Sequence, residues 1–308
     1  MLTRRELLAA SAGTGLLYGS GMGAVAQTIP TAPGQLIFKP IPSTGELLPA
    51  IGLGTNKWVA DGDEETMVQL GSTLTKFTNS GGRVIDTAPS YRSSESALGK
   101  LIADNLIRDA FFLATKVDQE DRIDGLMRME KSRENLRSEQ IDLMQIHNLR
   151  GADAQINNLL TWKNNGRLRY IGLTTSRTDQ FAEMEELMKL YPIDFVQLNY
   201  SVIAREAEKR IMPLAKEKKI AVMVNLPFQR GRLFKAVGET PLPEWAAEFD
   251  CESWAQFFLK FVISHPAVTC AIPGMTKPNH AEDNMGACFG RLPDEKTRAR
   301  MAQIFRTA

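Results

Sequence analysis

The 308-residue chain has only three cysteines, Cys251, Cys270 and Cys288, scattered through its last quarter. That is too few for a disulfide framework or a cysteine-rich metal site. Its three histidines, His147, His265 and His280, show no paired ligand spacing, so no structural metal is expected. No charge of one sign prevails: Lys and Arg total 37, Asp and Glu 36, for a formal net charge of +1. Without a basic excess or a charge run, neither nucleic acid nor a membrane surface is an expected partner. A glycine fingerprint after the first candidate strand is also missing. Ile51-Gly52-Leu53-Gly54-Thr55 comes near one, but the third glycine is absent and no helix starts at once. What is there is a globular mix, 43% hydrophobic and 24% charged. It holds enough apolar material for a sizeable core and excludes a disordered or collagen-like chain.

Residues 1–26 are composed differently from the rest. Arg4 and Arg5 precede Glu6-Leu7-Leu8, an Ala-, Gly- and Leu-rich stretch follows to about Met22, and Ala24-Val25-Ala26 offers a small-x-small cleavage site. This resembles a twin-arginine signal peptide. The apolar run is short and broken by Gly and Ser, so cleavage is expected rather than a stable span. The export machinery becomes an expected partner and the periplasm the expected compartment. Removing the leader takes away two arginines and one glutamate and leaves a formally neutral chain over 27–308.

Beyond the leader, Leu36-Ile37-Phe38 and Leu47-Leu48-Pro49 flank Ser43-Thr44-Gly45 and predict a short hairpin. Apolar β-type runs then alternate with amphipathic stretches. The candidate strands are 50–55, 83–88, 111–117, 141–147, 169–175, 195–201, 221–227 and 269–274. Helical patterns cover 65–79, 94–105, 123–136, 178–190, 207–218 and 253–264, and a last helix over 294–305 closes the chain. Eight strands with helices between them predict an α/β fold, a closed (β/α)8 TIM barrel with an N-terminal β-hairpin and a C-terminal helix. The longest connection, 229–252, has the length of a lid over the barrel mouth.

In such a barrel the active site lies at the C-terminal ends of the strands. The second strand ends in Ile85-Asp86-Thr87-Ala88 and its loop carries Tyr91. The third ends in Thr115-Lys116 and the fourth in Ile146-His147. Singly, each has an ordinary structural explanation: Asp86 bonded to loop amides, Tyr91 capping the core, Lys116 paired with Asp86, His147 satisfied inside the core. Together, an acid, a phenol, an amine and an imidazole on one rim point to a catalytic cluster. A lysine ending a buried strand is costly unless it is paired or used.

The segment Asp86-Thr87-Ala88-x-x-Tyr91-x-x-Ser94-Glu95-x-x-Leu98-Gly99 resembles the signature of the aldo-keto reductase superfamily. Thr115-Lys116, Ile141-Asp142-Leu143 with His147, Arg169-Tyr170-Ile171-Gly172-Leu173, Gln197-Leu198-Asn199-Tyr200 and Ala271-Ile272-Pro273-Gly274 agree in order and spacing. The resemblance spans about residues 35–290. It implies a barrel that binds NADPH in extended form, with NADH as the less expected alternative, and reduces a small carbonyl substrate. Tyr91 would be the general acid. Lys116 would favour its phenolate, Asp86 would keep Lys116 charged and oriented, and His147 would bond the substrate oxygen.

By the same resemblance, Thr174, Thr175 and Gln197 occupy the region that fixes the nicotinamide carboxamide, where many relatives have a Ser-Asn pair. Asn225 stands near the position of an aromatic residue that stacks on the nicotinamide. Arg230 belongs to a basic loop over the pyrophosphate. Lys277 and His280 replace the basic grip on the 2′-phosphate, with Thr276 where an arginine is common, and Asn284 matches the adenine-side asparagine. Arg92 replaces a usual glycine and either meets an anionic substrate or points to solvent. Trp58 is expected to line the substrate space; Trp245 and Trp254 either do so or pack. Two other functions stay open on the sequence: a non-turning-over NADP(H)-binding redox-sensing subunit, and a barrel lyase or isomerase using Lys116 as a Schiff base.

Overall fold

The computed structural model describes residues 34–59, 61, 63–105 and 107–305. The signal peptide expected over 1–26 lies outside the described residues. An antiparallel hairpin, β1 (Phe38–Pro40) and β2 (Leu47–Pro49), precedes eight parallel strands. These are β3 (Leu53–Gly54), β4 (Val84–Asp86), β5 (Phe112–Val117), β6 (Ile141–His147), β7 (Leu168–Thr174), β8 (Phe195–Asn199), β9 (Ala221–Asn225) and β10 (Val268–Ala271). Each pairs with its sequence neighbours, from β3 to β10. Gly52 N donates to Ala271 O at 2.8 Å and Gly54 N to Pro273 O at 2.9 Å, so the first and last strands meet and the barrel closes.

Helices α1 (Glu64–Asn79), α2 (Ser94–Asp104), α3 (Arg122–Asn135), α4 (Ala152–Asn164), α5 (Phe181–Leu190), α6 (Ile211–Glu217), α7 (Arg232–Val237), α8 (Trp254–Ile263), α9 (Pro278–Gly286) and α10 (Glu295–Gln303) complete the fold. Side-chain caps start several of them: Asp63 accepts from the amides of Glu65 and Thr66, and Asp121 from those of Ile123 and Asp124. Among the described residues no helix is long and apolar enough to cross a membrane.

The core divides by strand alternation. One set of side chains fills the barrel: Val84, Phe112, Leu143, Tyr170, Phe195 and Met223 belong to one cluster, with Ile41 and Leu48 of the hairpin region packed among them. The hairpin therefore plugs the N-terminal mouth. Glu46 strengthens the plug by accepting from the Tyr170 hydroxyl at 2.6 Å. The alternate residues, such as Ile85, Leu113, Met144, Ile171 and Val196, face the helices in the second cluster.

Helices α4 and α6 differ from expectation, as does α7 inside the connection 229–252. Helix α4 does not announce itself by apolar periodicity because its buried face carries Gln155 and Asn158. Gln155 donates to the carbonyls of Gln119 and Asp121, and Asn158 to that of Arg122. A Cβ on Gly125 would meet Gln155 Oε1 at 1.9 Å, so glycine admits this contact. Helix α6 is shorter than the expected 207–218 because Arg210 leaves the helical region and Pro213 is confined to the first turn.

Candidate active site

The alternation that fills the barrel also builds the site. On the inward face, Val84 is followed by Asp86, Ala114 by Lys116, Leu143 by Gln145 and His147, Phe195 by Gln197, and Met223 by Asn225. Each inward series changes from apolar to polar at its C-terminal end. A ring of functional groups thus sits on an apolar floor made of Phe112, Tyr170 and Phe195, whose ring centroids lie 5.5 to 5.9 Å apart.

Lys116 is 1% exposed and its Nζ donates to Asp86 Oδ2 and to Thr87 O, both at 2.7 Å. The same Nζ lies 5.1 Å from the centroid of the Tyr91 ring. Burial opposes the charge, but the Asp86 carboxylate, aided by the Tyr91 hydroxyl, outweighs it and holds the amine above its ordinary value. Lys116 is therefore a permanent cation beside the phenol. The other carboxylate oxygen, Asp86 Oδ1, accepts from Gln197 Nε2 at 2.9 Å and Gln145 Nε2 at 3.4 Å. Both charges are thus paired and bonded, the condition for keeping them in the interior.

His147 meets Tyr91 edge-on, with ring centroids 6.0 Å apart and planes at 85°. Burial, and then the Lys116 cation, push the imidazole down to about 4. His265, at the opposite end of the barrel, is also pushed to about 4, first by burial and then by Arg298. Both rings are neutral in the folded protein at neutral pH. The unfolded chain takes up their protons below about 6.5, so stability present above that pH is lost as pH falls through about 4. The His147 ring resonances are expected to keep their neutral positions down to about pH 5 in an NMR titration. Protonation of His147 near its ordinary value would contradict this.

The signature residues have a structural account. Ser94 Oγ bonds Thr55 O at 2.9 Å and Thr87 Oγ1 at 3.0 Å, tying the start of α2 to the ends of β3 and β4. Glu95, 1% exposed, accepts from Thr115 Oγ1 at 2.6 Å, and its carboxyl is pushed up chiefly by burial. A Cβ on Gly99 would lie 2.0 Å from Asn135 O, so only glycine lets α2 approach the end of α3. Thr55, Thr87, Ser94 and Glu95 hold the rim in place, and Asp86, Tyr91, Lys116 and His147 lie together on it.

The remaining expected residues fall into three groups. Thr174 Oγ1 donates to Gln197 Oε1 at 3.0 Å, and Asn225 Nδ2 reaches across β8 to Thr175 O at 3.1 Å. These four sit together at the ends of β7, β8 and β9. Thr175 spends its own hydroxyl on Gln180 Oε1, at 2.6 Å. Arg230 follows β9 and is exposed; Lys277 and His280 are exposed at the start of α9, with Asn284 buried one turn later. Adjacent strands β9 and β10 thus lead into the basic segments.

Trp58 requires correction, and Arg92 takes the solvent-facing one of its two readings. Trp58 is fully buried and its indole N–H donates to Met275 O at 2.6 Å, so it joins the loop after β3 to the segment after β10 instead of lining an open space. Arg92 pairs with Asp61 at 2.7 Å, with both side chains more than half exposed. Its φ of +55° lies in the left-handed region, which explains why glycine suits this position. The connection 229–252 is not a bare lid. It contains α7, packs Leu233 and Phe249 into the core, and is fixed to α8 where Trp254 Nε1 donates to Thr240 O at 2.8 Å. Trp245 packs against Phe249 and Phe257.

Sequence reasoning passed over Gln145 and Ser90. Gln145 had a usable signal, since it stands two residues before His147 and shares its face. Ser90 had none, because its contact with His147 Nδ1, at 3.3 Å, joins residues 57 apart.

The chain belongs to the aldo/keto reductase family, whose profile matches residues 50–303. It is 29% identical over 217 residues to the aldo-keto reductase YhdN of Bacillus subtilis (strain 168), a match spanning 64% of this chain and 63% of that protein. To the glyoxal reductase of the same organism it is 28% identical over 248 residues, 78% of this chain and 83% of the relative. Among solved structures, the holo form of an aldo-keto reductase from Bacillus halodurans superposes with a TM-score of 0.73 at 19% identity, covering 89% of this chain and 98% of that one. An aldo/keto reductase from Klebsiella pneumoniae in complex with NADP and acetate gives 0.69 at 23% identity, covering 85% and 93%. At these identities the structural likeness establishes the barrel.

Proposed function

We propose that the protein is an NADPH-dependent reductase that converts an aldehyde or ketone to its alcohol, with Tyr91 as the general acid. The observation that carries this reading is the buried Lys116–Asp86 pair set 5.1 Å from the Tyr91 ring. When bound, NADPH supplies the hydride received by the carbonyl carbon. The residues present fit that cofactor. Asn225 Oδ1 is buried without a hydrogen-bond partner among the described residues, close to Thr174 and Gln197, which are bonded to each other. The start of α9, with Pro278 in its first turn and Lys277 and His280 beside it, suits a phosphate group.

The chain's own residues then handle the proton. Tyr91 donates from its hydroxyl to the carbonyl oxygen, and the charged Lys116 favours the negative oxygen left behind. Asp86 keeps the ammonium aimed at the ring, and solvent returns the proton. His147, being neutral, presents a donor without adding a second cation. This assembled proton-transfer group supports turnover over a binding-only role.

The paired Arg4-Arg5 and the Ala24-Val25-Ala26 stretch support export of the folded protein to the periplasm. Protein recovered from the periplasmic fraction is expected to begin after Ala26 and to consume NADPH with a panel of small aldehydes and ketones. Full-length protein confined to the cytoplasm would refute export; no cofactor consumption with any carbonyl would refute the reductase.

A further inference from the structure

We propose that Gln145 is a positioning residue that holds the Asp86 carboxylate turned towards Lys116. The inference rests on the reductase reading and extends it to a side chain whose only hydrogen bond to a described residue goes to Asp86.

Gln145 is fully buried on β6 and is the register partner of Lys116 on β5. Its Nε2 donates to Asp86 Oδ1 at 3.4 Å, beside the 2.9 Å bond from Gln197 Nε2. An ionised carboxylate only accepts, so the amide must present its nitrogen here and turn Oε1 away. Oε1 is buried without a hydrogen-bond partner among the described residues. The register partner on β7 is Gly172, which has no side chain to offer, and a Cβ there would lie 2.6 Å from Phe195 O.

Other buried glutamines use both ends of the amide. Gln155 Oε1 accepts from Asn158, Gln197 Oε1 from Thr174, and Gln256 Oε1 from the amide of Glu252. Gln145 is only half satisfied, and an unmet buried carbonyl costs stability. An apolar side chain would fill this place on the inner face of the barrel without that cost. What the amide contributes lies at Asp86. Gripped at Oδ1 by Gln145 and Gln197, the carboxylate cannot swing, and Oδ2 stays 2.7 Å from Lys116 Nζ. Lys116 also faces Tyr91 and His147, and Asp86 faces the Cys270 thiol of β10. Among the described residues, only the two amides donate to Oδ1.

The test compares the full chain with Gln145→Met, which keeps the length of the side chain and removes the donor, and with Gln145→Glu. In Gln145→Met, kcat is expected to fall about two- to tenfold, the worth of one ordinary hydrogen bond, with NADPH affinity unchanged. Its urea midpoint is expected to be no lower than that of the wild type, because no polar atom is left unmet at position 145. The Lys116 ammonium signal in proton–nitrogen NMR at neutral pH, assigned through Lys116→Arg, is expected to broaden as the carboxylate loosens. In Gln145→Glu the introduced carboxyl faces Asp86, and two such groups share a proton. This variant is expected to match the wild-type rate at low pH, where the shared proton replaces the amide, and to lose rate as pH rises. An unchanged Lys116 signal in Gln145→Met overturns the proposal whatever the rate or the midpoint. A broadened signal, with the rate restored in Gln145→Glu at low pH, upholds it. The absence of carbonyl reduction in the wild type would instead overturn the reductase reading, while the Lys116 signal still decides the role of Gln145.

Discussion

Tyr91→Phe is expected to lower carbonyl reduction by about 10²- to 10⁴-fold, the usual contribution of a placed general acid. NADPH affinity, measured by fluorescence quenching, is expected to stay near that of the wild type. The reason is local. The ring keeps its edge-on contact with His147 and its place beside Lys116, because both involve ring atoms that phenylalanine retains. Only the hydroxyl proposed to donate the proton disappears. Turnover within a few-fold of the wild type would remove Tyr91 from the proton-transfer step. A loss of cofactor binding equal to the loss of rate would place its contribution in binding instead.

Lys116→Met is expected to damage both activity and stability. The ammonium has two hydrogen-bond acceptors at 2.7 Å and only 1% exposure, and its removal strands Asp86 in the interior. Breaking one partner of a buried ion pair costs about 3–5 kcal/mol. The pair has a definite pH signature. Because the folded amine is held above its ordinary value of 10.5, its stabilisation is complete below that pH and is lost as pH rises through the higher folded value. The wild type is therefore expected to weaken in strong alkali by a component that Lys116→Met lacks. Urea unfolding across the alkaline range measures this directly. The double variant Asp86→Asn with Lys116→Met is expected to be less unstable than the two single losses added together, since no uncompensated charge remains. Strict additivity would show that the two residues do not act as a pair.

The candidate catalytic cluster was legible in the sequence because barrel geometry turns one-dimensional position into three-dimensional place. Asp86, Lys116 and His147 each end an apolar run, and strand alternation puts all three on the inward face. The partners of those residues were not legible in the same way. Gln197 was read as a cofactor residue, and its amide is also engaged at both ends, by Thr174 and by Asp86. That chain of bonds crosses 111 residues between Gln197 and Asp86, and no local pattern encodes such a distance. Arg92 shows the same limit at short range. Its departure from glycine was visible, but the positive φ that gives glycine its value there is a property of the folded turn.

By itself, the sequence determined the order of the strands and of most helices between them, the closed barrel they predict, and the rim on which Asp86, Tyr91, Lys116 and His147 meet. These follow from hydrophobic period, turn chemistry and strand ends, which are local and survive in a linear reading. Tertiary structure alone decided that Trp58 is sealed inside by Met275, that α4 buries glutamine and asparagine, and that Ser90 reaches His147. Each depends on the exact approach of segments far apart in the chain. A buried polar group is tolerated only where a partner arrives within hydrogen-bond distance, and the packing of the whole barrel sets which partner that is.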